Sequence, residues 1–346
     1  MTPATWPRPE PLEERLLVVD PAKETYADAR IGDLQPLLGH ALLIVNDAAT
    51  QPASLRGRGP RGEPLELRLA GWTGDGEWRA VLFGAGDWHT RTEDRPPPPP
   101  LGPGDVVALT ADLRAEITSV SSLSPRLVGL RLDAGSESVW SALYRAGRPV
   151  QYSYVERPLP LWRAQTAYAS RPWAVELPSA GRPLTWGLLL GLRAHGARLA
   201  SVTHAAGLSS TGDPALDAAL PLPEAYDIPA ETAAAVREAR AAGEKVVAVG
   251  TTVVRALEGA AASGGGELRA GRGTTDLIVD RSFRPRVVDG LLTGLHEPGS
   301  SHFALTTAFA PASLLESAFR HASDAGYLAH EFGDSSLILR DTLPKP

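Results

Sequence analysis

Apolar residues in the first fifty positions gather in two short, nearly unbroken runs. RLLVVD at residues 15–20 and ALLIVND at 41–47 each close on an aspartate, the pattern of strands buried on both faces. IGDLQPLLG between them predicts a short helical turn stopped by Gly39. From residue 57 to 154 the texture changes. PLELRLAGW, EWRAVLFGAG, DVVALTADLRAEITSV and PRLVGLRL alternate apolar with polar, cut by Gly, Pro and Asp, and a helical period returns only at SVWSALYRAG. That texture predicts a meander of strands closing into a small barrel. Beyond it, strand and helix alternate to the end. LTWGLLLGLRAHGA and IPAETAAAVREARAAGE predict helices, the second opened by Pro229, with Glu231 in its first turn and Gly243 as its stop. HFALTTAFAPASLLESAFRHASDAG predicts two helical pieces broken near Pro311, and HEFGDSSLILR a last strand. The fold class expected is mixed α/β. A discontinuous main domain, residues 1–56 and 155–346, is interrupted by an inserted all-β barrel domain at 57–154.

Within the barrel region lies RTEDRPPPPPLGPGD. The five prolines, Pro96 to Pro100, cannot pair in a sheet and predict an extended, stiff surface linker. A docking motif for a proline-reading partner is the other reading. The chain has no cysteine, which removes disulfides, thiolate metal sites and a cysteine nucleophile. Its eight histidines form no spaced metal motif, and no metal is expected. His40, His89 and His195 are expected on the surface. No apolar run approaches the about twenty residues that a membrane span needs. The first residues carry neither a basic nor an apolar leader region, so a cytoplasmic protein is expected. Lys and Arg number 34 against 40 Asp and Glu, a net charge of −6. That balance disfavours broad, non-specific phosphate contact but leaves room for a local patch, for which Arg56, Arg58, Arg61 and Arg68 are the nearest grouping.

The stretch KVVAVGTTVVRALEGAA, residues 245–261, carries the clearest chemical signal. A fully apolar strand stops at Gly250 and a helix begins. Thr251 or Thr252 can cap it, and its free N–H groups form an anion site at the carboxyl end of a strand. Arg255 lies one turn on, with a fork suited to a carboxylate. An ordinary capped helix with Arg255 paired to Glu258 or facing solvent is the plainer reading. Neither GxGxxG nor GxxxxGK[ST] is present, and no GxSxG elbow accompanies Ser209 and Ser210.

The same residues carry a family resemblance. VAVGTTVVRALE, GTTDLIVD, DGLLTGLHEPGSS, TAFA and EFGDSSLIL follow one another in an order that resembles the S-adenosylmethionine:tRNA ribosyltransferase-isomerases of queuosine biosynthesis, the QueA family. RLLVVD, ALLIVND, QPASLRG and AQTAYA fit the same pattern upstream, so the resemblance spans residues 15–339. It implies an α/β domain interrupted by a β-barrel. It also implies a reaction in which S-adenosylmethionine is a co-substrate and no prosthetic group takes part. The ribosyl group passes to the aminomethyl group of a 7-deazaguanine at the wobble position of tRNA, giving an epoxycyclopentanediol with loss of adenine and methionine. The implied partners are S-adenosylmethionine and the tRNA anticodon region or a related deazaguanine, with no membrane; a monomer is expected.

Such chemistry needs a base beside the sulfonium, an acid for adenine, an anion site for the methionine carboxylate and groups that hold hydroxyls. His296 and Asp276 are the catalytic candidates. Gly250, Thr251, Thr252, Arg255, Thr274, Thr275, Asn46, Asp47, Gln165, Tyr168 and Glu224 are the substrate-binding candidates. Trp162 beside Pro160 offers a base-stacking surface, with core packing as the plainer expectation. The chain departs from the family pattern in several places. NDAAT stands where the family reads NDTRV, LPEAY where it reads MHxExY, and LTGLHEPGS where it reads LTNFHLPKS. These departures leave two further readings open. One is a paralogue using S-adenosylmethionine or a nucleoside with another acceptor; the other is a non-catalytic RNA-binding module.

Overall fold

The computed structural model describes residues 1–74 and 76–340. Nine strands form one mixed sheet, in the spatial order Gly271–Thr275, Glu224–Ile228, Arg198–His204, Leu42–Asn46, Val246–Val249, Gly290–Gly294, Ser335–Leu339, Arg15–Asp20 and Thr25–Arg30. The middle four run parallel: Arg198 pairs with Leu42, Val246 with Leu42, and Val247 with Gly290. Their carboxyl ends therefore share one rim. The sheet is covered on both faces, which is why its central strands read as unbroken apolar runs. Leu42, Ile44, Val246 and Ala248 pack against Val236, Leu257 and Leu315 from three helices on one side. Leu43, Val45, Val247 and Val249 pack against Leu34, Leu188 and Leu192 on the other.

The inserted region closes as expected. Six antiparallel strands, Arg114–Val120, Leu127–Asp133, Glu77–Phe83, Pro64–Gly74, Ser54–Arg58 and Val106–Ala108, form a closed barrel around Leu55, Leu67, Leu82 and Ile117. The arginine grouping does not form a cationic patch. Arg68 is buried and its Nε donates to Glu66 Oε1 at 2.7 Å, while Arg95 Nη1 donates to Glu66 Oε2 at 2.7 Å. Arg56 pairs with Asp87 and Arg61 with Glu63. The sequence reading missed this because Glu66 and Arg68 sit on one face of a strand that the 84–100 loop covers.

The proline run is pinned rather than free. Gly84 N donates to the Pro96 carbonyl, and a Cβ at Gly84 would lie 2.3 Å from that oxygen. Asp334 is buried and accepts from Arg15 N, Leu328 N and Arg8, so it ties the last strand of the sheet to the Arg15–Asp20 strand. No helix among the described residues is long and apolar enough to cross a membrane.

Candidate active site at the carboxyl rim of the sheet

The parallel strands deliver Asp47, His204, Gly250 and His296 to one edge. Gly250 is the pivot. Its φ of 92° and ψ of 153° suit glycine almost alone, and the Thr251–Ser263 helix starts at the next residue. The threonine cap expected there does not form, since no side chain caps this helix. Thr252 Oγ1 instead accepts from Asn46 Nδ2 at 3.3 Å. The helix therefore presents its first-turn N–H groups and the positive end of its dipole to the rim without a side-chain partner. Asn46 is wholly committed: Nδ2 also reaches the His204 carbonyl at 3.0 Å, and Oδ1 accepts from His204 N and Ala48 N. It clamps two strands and the helix together.

Arg255 is buried and points to neither Glu258 nor solvent. Glu258 accepts instead from the backbone N–H groups of Arg286, Val287 and Val288. Arg255 Nη1 donates to Glu224 Oε2, and Nε donates to the Leu277 carbonyl at 3.2 Å. Glu224 Oε1 takes the Gly207 N–H at 2.8 Å. Burial raises the Glu224 carboxyl above its usual range, and Arg255 opposes that shift. His204, fully buried, stands 3.4 Å from Glu224 Oε2, and neither ring nitrogen has a hydrogen-bond partner. Burial, reinforced by the Arg255 charge, pushes its pKa down to about 3. The ring is therefore neutral, and its contact with Glu224 is not an ion pair.

On the other side, Asp47 accepts from Thr203 Oγ1 at 2.5 Å, and Thr203 also meets Arg171, which pairs with Asp227 at 2.6 Å. Gln165 spends its amide on both backbone groups of Thr50, at 2.9 Å each. Tyr168 turns its hydroxyl onto Gly181, where a Cβ would lie 1.9 Å from it; the neighbouring Ala180 stands against Gly250. His296 follows the Gly290–Gly294 strand. Its Nε2 lies 2.9 Å from Thr293 Oγ1, and its ring stacks on His302 at 5.0 Å. Burial first, then the neighbouring His302 and His330, holds His296 well below the usual histidine range.

Three predicted positions lie on or just beyond the edge strand beside Glu224, with which Thr275 pairs. Thr274 and Asp276 are exposed at the outer edge of the sheet. Thr275 is buried, and a Cβ at Gly259 would lie 2.3 Å from its Oγ1, so it serves close helix–strand packing.

Several buried polar atoms around this rim lack a hydrogen-bond partner: Arg255 Nη2, both His204 nitrogens, Tyr168 Oη, Thr50 Oγ1 and Thr166 Oγ1. Each such atom costs about 1–3 kcal/mol unless a polar ligand or water reaches it. Among the described residues no group of His, Cys, Asp or Glu is arranged to hold a metal ion.

Glu176 carries no motif that marks it in the sequence. It follows a short strand, accepts from Tyr152 Oη and from Ser209 N at 3.0 Å, and lines a cavity of about 20 Å³ with Thr50, Tyr152 and Glu331. That volume admits about one water. Burial pushes its pKa up from 4.5 to about 7. The folded chain thus holds a proton that the unfolded chain releases, so its contribution to stability is present below pH 4.5 and lost as pH rises to about 7. The full swing is on the order of 3 kcal/mol. Glu176→Gln is expected to flatten that part of the pH–stability curve, measured by urea denaturation between about pH 5 and about pH 7.

Comparisons with known proteins establish the family of the chain. The family model described as "Queuosine biosynthesis protein" matches residues 2–338. An S-adenosylmethionine:tRNA ribosyltransferase-isomerase of Trichlorobacter lovleyi is 34% identical over 94% of this chain and 92% of its own length. Those of Sorangium cellulosum and Thermus thermophilus are 37% and 35% identical, covering 94% and 90% of this chain and 91% and 88% of their own lengths. The crystal structure of an S-adenosylmethionine tRNA ribosyltransferase from Thermotoga maritima shares the fold, with a TM-score of 0.53 and 24% identity over 97% of this chain and 96% of that one. The chain belongs to the queuosine biosynthesis protein family, alongside the S-adenosylmethionine:tRNA ribosyltransferase-isomerases.

Proposed function

We propose that this chain transfers and isomerises the ribosyl group of S-adenosylmethionine onto the aminomethyl group of a 7-deazaguanine in tRNA, releasing adenine and methionine. Kinship over nearly the whole chain supports the reading. The observation that carries it is local. A buried guanidinium with one nitrogen unspent stands one turn beyond the uncapped start of a helix, at the rim where α/β sheets bind ligands.

In this reading the first-turn N–H groups of the Thr251–Ser263 helix and Arg255 Nη2 hold the methionine carboxylate. Asp47 and Tyr168 meet ribose hydroxyls. Glu224 does not bind substrate directly but fixes Arg255 and faces His204. His296 is kept neutral, which suits a base that removes the ribose proton beside the sulfonium and does not suit an acid. Glu176 still carries a proton near neutral pH, the property needed to assist the departure of adenine. Asn46 and Gln165 set the frame, and Asp276 and Thr274 take no part in donor binding.

The test is direct. The purified chain is incubated with S-adenosylmethionine and tRNA carrying the aminomethyl-deazaguanine, and adenine and methionine are followed by chromatography. Equal release of both is expected, dependent on the modified tRNA. Release of neither overturns the reading.

A further inference from the structure

We infer that Trp6, Arg157, Trp162 and Arg163 form a platform that stacks an unpaired base of the RNA substrate and neutralises its flanking phosphates; this rests on the reading above. Trp162 was expected in the core, yet 69% of it is exposed. The Arg163 guanidinium lies over its ring at 4.5 Å and also within 5.6 Å of the Trp6 ring, which Arg157 covers at 4.2 Å. Two indoles are thus joined by two arginines in one ladder. Trp6 is half-buried against the Ala4–Phe332 cluster, which leaves Trp162 as the exposed indole; an exposed indole with cationic edges is the element that holds single-stranded nucleic acid, because every base offers a face to stack on.

Their place over indole rings sets these arginines apart, since Arg58, Arg148 and Arg193 also lack a carboxylate partner among the described residues. Arg30, Arg56, Arg61, Arg68, Arg95, Arg171, Arg182 and Arg255 each pair with a carboxylate. Arg157 and Arg163 have no carboxylate partner among the described residues, in a chain of net charge −6. Their charge is left for a partner, and phosphate is the group that such a fork suits.

The platform is rigid and close to the rim. Gln151 holds it from beneath, Nε2 donating to the Arg157 carbonyl at 2.7 Å and Oε1 accepting from Leu159 N at 3.0 Å. Leu159 and Ala164 pack with Ala4, Val155 and Phe332, and Glu156 N donates to the Thr5 carbonyl. Trp162 is three residues from Gln165, which is bonded to Thr50 at the site. Their Cα atoms therefore lie within about 11 Å of each other. A base stacked on Trp162 belongs to a nucleotide near the one that reacts.

The experiment uses the full chain, an RNA hairpin with a single-stranded loop and a fully paired RNA of equal length. Wild-type protein is expected to prefer the hairpin. Trp162→Ala should weaken hairpin binding by roughly 5- to 150-fold, the span of one aromatic–base stack. Trp162→Phe should restore most of it. Arg157→Glu with Arg163→Glu should lower the salt dependence of binding by about two phosphate contacts. In turnover, Trp162→Ala should raise KM for tRNA and leave kcat and the dissociation constant for S-adenosylmethionine unchanged. Hairpin affinity and KM unchanged in all variants, or equal loss on paired RNA, overturns the platform. Inactive wild-type protein that still shows the Trp162 effect would instead overturn the catalytic reading and leave the platform standing.

Discussion

His296→Ala is expected to lower kcat for adenine release by about 10²- to 10⁴-fold, the usual worth of a positioned proton-transfer group, with little change in donor affinity. The expectation comes from three features of one side chain. Its Nε2 is fixed by Thr293 Oγ1 at 2.9 Å, its ring is held by stacking on His302, and burial keeps it uncharged. A neutral imidazole with one nitrogen oriented and the other available is prepared to take a proton. Its depressed pKa means that the basic form persists well into acid, so wild-type turnover is not expected to fall through the ordinary histidine range around pH 6.5. Thr293→Val removes the orienting hydroxyl and should cost less than the loss of the ring. Rapid-quench measurement of adenine formation separates the chemical step from release. Full single-turnover rate in His296→Ala removes this residue from the mechanism.

Arg255→Ala carries the second large effect, and it has two parts. Removing the guanidinium strands Glu224 in the interior, and breaking a buried pair from one side costs about 3–5 kcal/mol. The stranded carboxyl escapes part of that cost by protonating, so the loss should grow with rising pH. Donor affinity should fall as well, by about 10- to 100-fold, because a charge-assisted hydrogen bond to the methionine carboxylate is lost. The two parts separate in a double variant. Arg255→Met with Glu224→Leu removes both charges together and should recover most of the stability, yet donor affinity should stay low. Calorimetric titration of S-adenosylmethionine into the double variant decides the question; wild-type affinity there ends the anion-clamp role of Arg255.

The elements that were legible in the sequence are those set by local pattern. Val246–Val249 announces a strand covered on both faces, and Gly250 after it announces a turn that only glycine makes comfortably. Pro229 and Gly243 bracket their helix correctly, since a ring-fixed φ and a left-handed stop act within one turn. The alternating stretches between 57 and 154 revealed the barrel because strand periodicity is also local. Partner choice was less legible. The plainer local reading places Arg255 against Glu258, three residues on, or in solvent; it meets Glu224, thirty-one residues back. Thr251 and Thr252 have the chemistry of caps, but Asn46 from a neighbouring strand claims Thr252. Trp162 reads as core by composition and is exposed, because its neighbours Leu159 and Ala164 supply the anchoring.

The sequence by itself determined the alternation of strand and helix, the inserted barrel and the glycine that opens the rim, because backbone sterics and apolar periodicity are properties of neighbouring residues. Only the tertiary structure decided which charges meet, which histidines stay neutral and where Glu176 keeps its proton. Those outcomes depend on burial and on partners brought from distant segments, and the energy of a charge is set by everything within a few ångströms of it, whatever its place along the chain.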